Sequence, residues 1–230
     1  MAKKTFFVTG TDTGVGKTTV SAAILQAAKE QGKRTLAMKP IASGCETTSA
    51  GLRNDDALIL QSVITESVPY DLINPYAFEP AIAPHVAARQ AGRTITAQRL
   101  VGFCRGLQTY PADLLLVEGA GGWRVPLNDR DTLSALPREL NLPVILVVSL
   151  KLGCINHSLL TAEAIRSDGL KLAGWVANRT ESVAMNCEQE TLSYLLEHIG
   201  APCLGVLPWL ERAAPEMLAG HLEIEHLFEI

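Results

Sequence analysis

The sequence predicts an α/β fold, a mainly parallel β-sheet with helices on both faces, and three observations carry that expectation. Short runs that are apolar throughout, such as Leu114-Leu115-Leu116-Val117 and Pro143 to Leu150, alternate with segments of helical periodicity. Strands without polar alternation are buried on both faces, the situation of a parallel sheet whose right-handed crossovers place helices above and below it. A glycine-rich turn stands between the first apolar run and the first helical pattern, so strand, loop and helix follow in the order that phosphate binding requires. With 230 residues, 47% of them hydrophobic, the chain suffices for one domain, residues 1–230, with a full core.

Taken in order, Thr5 to Thr9 reads as a buried strand and Thr18 to Gln31 as a helix. Arg34 to Met38 is a second strand, ended at Lys39-Pro40 because proline has no N–H for a ladder. Ile41 to Arg53, rich in Ser, Thr and Gly, reads as a long functional loop. Asn54 is placed to cap a short helix running to Val63, with Asp55 and Asp56 in its first turn. Pro69 to Pro84 holds four prolines and reads as irregular or extended, and helices follow over Pro84 to Gln90 and Ala97 to Gln108. The strand Leu114 to Val117 ends at Glu118 and runs into a second glycine-rich turn, Gly119-Ala120-Gly121-Gly122-Trp123. A helix near Leu133 to Leu140, the strand Pro143 to Leu150, an amphipathic helix over Asn156 to Ser167 and a strand over Leu170 to Ala177 continue the alternation. A helix over Cys187 to Ile199 and a strand over Cys203 to Leu207 come next, and His221 to Ile230 reads as a last short helix or strand.

Composition narrows the function classes. A net charge of −4 gives no electrostatic reason for nucleic-acid binding, so an acidic ligand must be held by local groups. Met1-Ala2-Lys3-Lys4 leads directly into a strand without an apolar leader, and no run approaches the roughly 18 apolar residues of a membrane span. A soluble, cytoplasmic protein with no membrane partner is the expectation. The five cysteines, Cys45, Cys104, Cys154, Cys187 and Cys203, are widely spaced and form no C-x-x-C pair, so they read as reduced thiols rather than a zinc site. Cys154 lies near His157, but a small thiol after a strand end reads first as packing.

The chemistry starts in Val8-Thr9-Gly10-Thr11-Asp12-Thr13-Gly14-Val15-Gly16-Lys17-Thr18. Glycines let such a loop turn its N–H groups inward, the helix start adds partial positive charge, Lys17 can reach outer phosphates and Thr18 offers a hydroxyl to Mg²⁺. The strict form G-x-x-x-x-G-K-[ST] wants its first glycine at position 11, where threonine stands, and Gly10 sits one residue early. The stretch is a P-loop variant in a P-loop NTPase-type fold, and Thr13, Gly14, Val15, Gly16, Lys17, Thr18 and Thr19 are expected around the phosphates.

Ligands of such sheets gather at the carboxyl ends of the strands, so the residues just past each strand are the next candidates. Glu118, an acid directly after four apolar residues, is expected to be buried near the phosphates and to hold metal there. Asp56 is a second metal candidate, or simply a carboxylate stabilising a helix start. Lys39 can place a second cation on a transferring phosphoryl group, or be a solvated lysine at a strand terminus. Ser43 and Thr47 can donate to substrate or solvate their loop. The turn Gly119 to Gly122 can expose N–H groups to an anion or be a tight connection. Lys151 to Asn156 enters a helix and can hold a carboxylate, or be capped plainly by Asn156.

Together these residues resemble the dethiobiotin synthetase family, ATP-dependent ligases of biotin biosynthesis. The resemblance runs from Phe6 to Leu210 and is carried by V-T-G-T-D-T-G-V-G-K-T, K-P-I-A-S-G from Lys39, G-L-R-N-D-D-A-L from Gly51, V-E-G-A-G-G-W from Val117, L-G-C-I-N-H from Leu152, G-W-V-A-N from Gly174 and G-V-L-P-W-L from Gly205. It implies ATP and Mg²⁺ as cofactors and a small-molecule diamine, 7,8-diaminononanoate, with CO₂ as substrates. By the same resemblance Lys17 and Lys39 stabilise phosphoryl charge, and Thr18, Asp56 and Glu118 hold Mg²⁺. Ser43, Glu118, Gly119, Gly121 and Gly122 line the substrate site, and Asn178 and Pro208 read adenine. The family's site lies at a homodimer interface, which implies that Leu152, Cys154 and Asn156 receive the substrate's carboxylate from the neighbouring copy. Gly14 stands where family members can carry glutamate, and Glu181 to Glu190 match the pattern poorly. Two other classes share parts of this pattern. Cobyrinate-type amidoligases carry a further glutaminase domain for which 230 residues leave no room. Partitioning and septum-site switch ATPases carry an early lysine in the loop, where this chain has Thr11-Asp12-Thr13-Gly14.

Overall fold

The computed structural model describes residues 3–230, so Met1 and Ala2 of the lead-in Met1-Ala2-Lys3-Lys4 lie outside the described residues. The first half of the chain runs β1 (Lys4–Gly10), α1 (Lys17–Glu30), β2 (Thr35–Met38), β3 (Ile41–Ser43), β4 (Glu46–Thr48), β5 (Gly51–Arg53), α2 (Asp55–Val63), α3 (Tyr70–Ile73), β6 (Tyr76–Phe78), α4 (Pro84–Gln90) and α5 (Ala97–Gln108). The second half runs β7 (Leu114–Glu118), α6 (Ala135–Leu140), β8 (Val144–Ser149), α7 (Cys154–Ser167), β9 (Leu172–Asn178), α8 (Glu188–His198), β10 (Cys203–Leu207), α9 (Pro215–Ala219) and α10 (Glu225–Glu229).

Six strands form one parallel sheet in the order β10-β9-β8-β1-β7-β2. The apolar runs are explained by their two-sided burial. Leu114 and Leu116 of β7 belong to the core on the face that α1 covers, with Ile24, while Leu115 and Val117 belong to the core on the other face, which includes Leu100 and Cys104 of α5. Successive side chains of a strand point to opposite faces, so a strand covered on both sides needs no polar alternation. The chain leaves β1 toward β2 on one side and later fills the other side with β8, so the strand order switches direction at β1. A crevice opens at the carboxyl ends of strands at such a switch. Gly10, Glu118, Ser149 and Asn178, the last residues of β1, β7, β8 and β9, all stand at that edge.

Three expectations need correction. Ile41 to Arg53 is not a loop: Ile41–Ser43 pairs in parallel with Tyr76–Phe78, and Glu46–Thr48 forms an antiparallel hairpin with Gly51–Arg53. Its Ser, Thr and Gly content suggested a loop, but threonine favours strands, Ser49 and Ala50 make the turn, and Gly51, at φ 96°, takes the chain from it into the second strand. Pro69 to Pro84 likewise holds a helical turn and a strand between its prolines. The helix expected from Asn156 starts at Cys154, behind Gly153 at φ 94°, so Asn156 lies inside it and caps nothing. Pro215–Ala219, which packs against α1, had no sequence expectation, and the final segment resolves as helix Glu225–Glu229. Among the described residues, no helix is long and apolar enough to cross a membrane.

Candidate active site

The phosphate loop spans the gap between β1 and α1, with Gly14 at φ 74° and Gly16 at φ 85°. Gly16 has a second reason to be glycine, because a Cβ there would fall 2.0 Å from Nδ2 of Asn178. That amide reaches up from the end of β9 and donates to the carbonyl of Val15 at 2.9 Å. Asn178 is buried behind the loop, and Pro208 follows β10 beside it, where Asn178 and Leu207 are register partners. Val15 is buried beneath the loop, whereas Thr13, Gly14, Gly16 and Lys17 through Thr19 line a cleft of about 730 Å³.

Lys17 is 7% exposed, and its ammonium donates to the carbonyls of Gly121 at 2.6 Å and Asp12 at 3.1 Å. Burial, aided by the nearby charge of Lys39, pulls its pKa down to about 8. Beside it Lys39 extends from the end of β2 into a carboxylate pocket. Its Nζ donates to Glu118 Oε1 at 2.6 Å and to Asp56 Oδ2 at 2.9 Å. Burial works against the charge on Lys39, but the two carboxylates outweigh it and hold the pKa above its ordinary value. Burial likewise opposes ionisation of Asp56, and Lys39 reverses it, leaving Asp56 below the usual carboxylate range.

Glu118 is fully buried at the end of β7. Its Oε1 accepts both Lys39 and the hydroxyl of Thr18 at 2.8 Å, while Oε2 has no protein partner. Thr18, Lys39, Asp56 and Glu118 therefore meet in one place, although they come from four different elements. Asp56 is delivered there by α2, whose cap Asn54 accepts from the backbone N–H of Ala57 at 3.2 Å. Among the described residues, no three His, Cys, Asp or Glu side chains gather as a metal cluster. Two carboxylates and a hydroxyl, one carboxylate oxygen unpartnered and buried, nevertheless fit a hard ion that shares its other ligands with phosphates and water.

Away from the loop the cleft wall becomes apolar, formed by Ile41 and Ala42 on one element, Ala81 to Pro84 on another, and Ala120, Val125 and Pro126 on a third. Ser43 lines it with a buried hydroxyl that has no partner, and Gly121 lines it opposite Thr13. Gly119 packs so tightly that a Cβ would meet Phe7 Cζ at 2.9 Å, and Gly122 approaches the backbone of Gly10 and Thr11. These contacts give the glycines of this turn a packing reason. Thr47 stands exposed on the β4–β5 hairpin, outside the cleft. Leu152, Cys154 and Asn156 are not brought into the cleft either: Leu152 is 92% exposed, Asn156 is exposed and Cys154 is buried under α7.

Some groups at the site had no sequence expectation. Asn74 donates to the carbonyl of Lys39 at 2.7 Å and accepts from the hydroxyl of Tyr70, which in turn accepts from the backbone N–H of Asn54. Tyr70 and Asn74 thus brace both Lys39 and the start of the Asp56 helix. Arg124 to Pro126 also line the cleft without having been singled out. Their only signal was position, directly after the glycine-rich turn.

With this geometry in hand, the chain can be set beside known proteins. A family model described as an AAA domain matches residues 4–217. The chain is 70% identical to the ATP-dependent dethiobiotin synthetase BioD of Marinobacter nauticus, with 100% of both chains covered. It is 55% identical to the protein of the same name from Pseudomonas aeruginosa, covering 96% of this chain and 97% of that one. Among solved structures it resembles a chain of the MinC–MinD cell division complex of Aquifex aeolicus (TM-score 0.62, 16% identity, 98% and 94% covered). A ParA family ATPase from Chlorobium tepidum is similar in the same way (TM-score 0.57, 14% identity, 99% and 97% covered). At such low identity these structures speak for the P-loop NTPase fold alone, whereas the full-length identities show that the chain belongs to the ATP-dependent dethiobiotin synthetase family.

Proposed function

We propose that the chain closes the ureido ring of dethiobiotin from 7,8-diaminononanoate and CO₂, driven by ATP, in biotin biosynthesis. The observation that carries this reading is the ammonium of Lys39, held between Glu118 and Asp56 beside the phosphate loop. A cation fixed there, with Lys17, is aimed at charge that develops on a transferring phosphoryl group. One amine of the substrate adds to CO₂ and loses a proton, giving a carbamate. A carbamate oxygen then attacks the γ-phosphorus, and ADP leaves. The second amine attacks the carbonyl carbon of the mixed anhydride and loses a proton, while phosphate departs with the former carbamate oxygen. Activation is needed because a bare carbamate oxygen is a poor leaving group.

In this scheme the loop from Thr13 to Thr19 cradles the triphosphate, and Lys17 exchanges its carbonyl partners for phosphate oxygens. Ser43 donates its unpartnered hydroxyl to the diamine or carbamate, and Gly121 lines the same cleft, with Gly119 and Gly122 packed against β1 and the start of the phosphate loop. Asn178 and Pro208, at the carboxyl ends of β9 and β10, would read adenine. Thr18, Asp56 and Glu118 would hold Mg²⁺, which neutralises phosphate charge during transfer. Leu152, Cys154 and Asn156 would serve the cleft of a second copy in a homodimer, where the first N–H groups of α7 suit the substrate's carboxylate.

The switch-ATPase and amidoligase readings are not favoured, since the relatives of high identity are dethiobiotin synthetases by name and the loop lacks the early lysine. Incubation with ATP, Mg²⁺, bicarbonate and the diamine should yield dethiobiotin by mass. Phosphate release without a cyclic urea would refute the ring-closing reading.

A further inference from the structure

The glycine-rich turn after β7 has three glycines in four residues, Gly119, Gly121 and Gly122, and so little rigidity of its own. It is anchored at its start by the N–H of Gly119, which donates to Val8 at 2.9 Å. Its far end is held by a residue from a distant element. We propose that Asp168, the residue just past α7, is a positioning residue that fixes the cleft wall Arg124 to Pro126 against the diamine's hydrocarbon chain; this rests on the ring-closing reading above.

The Asp168 carboxylate accepts three hydrogen bonds from two consecutive side chains. Trp123 Nε1 donates to Oδ2 at 2.8 Å, Arg124 Nη1 donates to Oδ2 at 2.6 Å, and Arg124 Nη2 donates to Oδ1 at 3.0 Å. A bidentate fork fixes direction as well as distance, which a single point charge would not do. Asp168 is 11% exposed in its side chain and Arg124 51%, so the carboxylate is the more sheltered partner, and Arg124 is itself one of the residues that line the cleft. Burial opposes the Asp168 charge, but Arg124 and Trp123 overcome it and hold the carboxyl below the usual carboxylate range. The Trp123 ring is wedged edge-on against Phe7 at 6.0 Å, and Arg124 also reaches the hydroxyl of Ser134 at 3.3 Å. With both side chains fixed, Val125 and Pro126 have one placement along the apolar part of the cleft. The half-exposed pair adds little to global stability, so its main effect falls on the wall.

The test compares the parent with Asp168→Asn, Trp123→Phe, Arg124→Ala and the Asp168→Asn/Arg124→Ala double variant, each measured for KM of diamine, KM of ATP and melting temperature. Asp168→Asn is expected to raise the diamine KM about tenfold while the ATP KM stays within about twofold. Trp123→Phe, which deletes the indole N–H and leaves a ring against Phe7, shifts the diamine KM in the same direction. The double variant is expected to be no worse than Asp168→Asn alone, because both substitutions break one fork. An unchanged diamine KM, parallel rises in both KM values, or effects that simply add would overturn the proposal. If Asp168→Asn does not fold, the Trp123→Phe diamine KM decides alone. A parent that makes no dethiobiotin would sink the ring-closing reading instead, so the two failures are distinguishable.

Discussion

The phosphate end of the cleft and the start of α7 were both expected to bind substrate, yet they are built in opposite ways. At the phosphate end Thr18, Lys39, Asp56 and Glu118 are bonded to one another inside one chain, with Lys39 4% exposed and Glu118 fully buried. At the α7 start Leu152 is 92% exposed and Asn156 points to no partner in the chain's own cleft. The difference teaches that phosphoryl transfer needs groups held rigidly before substrate arrives, whereas the α7 start, as proposed above, would bind a carboxylate only where a second copy completes it.

Removing Lys39 should break the comparison most deeply. Lys39→Ala is expected to lower kcat for dethiobiotin by about 10²–10³-fold while leaving nucleotide binding largely intact, measured by product formation and ATP titration. It also strands the buried Glu118 carboxylate, a loss of about 3–5 kcal/mol of stability that the Lys39→Ala/Glu118→Gln double variant should partly restore in a melting experiment. Equal turnover in variant and parent would remove Lys39 from the chemistry.

Glu118→Gln comes next. It should weaken Mg²⁺-dependent nucleotide binding by about tenfold or more, read as the difference between ATP titrations with and without the ion. Unchanged metal dependence would reject Glu118 as a ligand.

The pH response of Lys17 sharpens the same end of the cleft. Its folded pKa, about 8, lies below the ordinary 10.5, so the unfolded chain holds the proton more tightly. The stability contribution of Lys17 is therefore flat below pH 8 and rises between pH 8 and 10.5 as the folded form sheds its buried charge. ATP needs the charged form, so its affinity should fall as pH climbs above 8, by up to about tenfold per pH unit, with proton uptake on binding. Calorimetry in two buffers of different ionisation heat would detect that proton, and its absence at pH 9 would contradict the assignment.

The smallest effect belongs to α7. Leu152→Asp is expected to raise the diamine KM about threefold through repulsion of the carboxylate, with ATP KM unchanged, and to loosen the proposed homodimer in sedimentation. An effect on ATP instead of diamine would merge the two regions.

Much of this is legible in the sequence. The sheet followed from apolar runs without alternation, and Lys39, Asp56 and Glu118 followed from their places at strand and helix ends, which topology gathers at one edge. Hidden from the sequence were contacts between residues far apart in the chain. The amide of Asn178 supports Val15 across 163 residues, and Asp168 holds Trp123 across 45, with no local pattern announcing either. Tyr70 and Asn74 were obscured by the prolines around them, and the β4–β5 hairpin by a composition that loops share. Local periodicity reports which face of an element is buried, not which distant polar group meets it there.

Oxygen tracing tests the central claim most directly, that phosphate is transferred to a carbamate rather than to water. With ¹⁸O-labelled CO₂ and excess unlabelled water over a short incubation, the parent should release phosphate carrying one labelled oxygen per turnover and dethiobiotin carrying one in its ureido carbonyl. Unlabelled phosphate released at the rate of ATP consumption would mean hydrolysis by water and contradict the ligase chemistry.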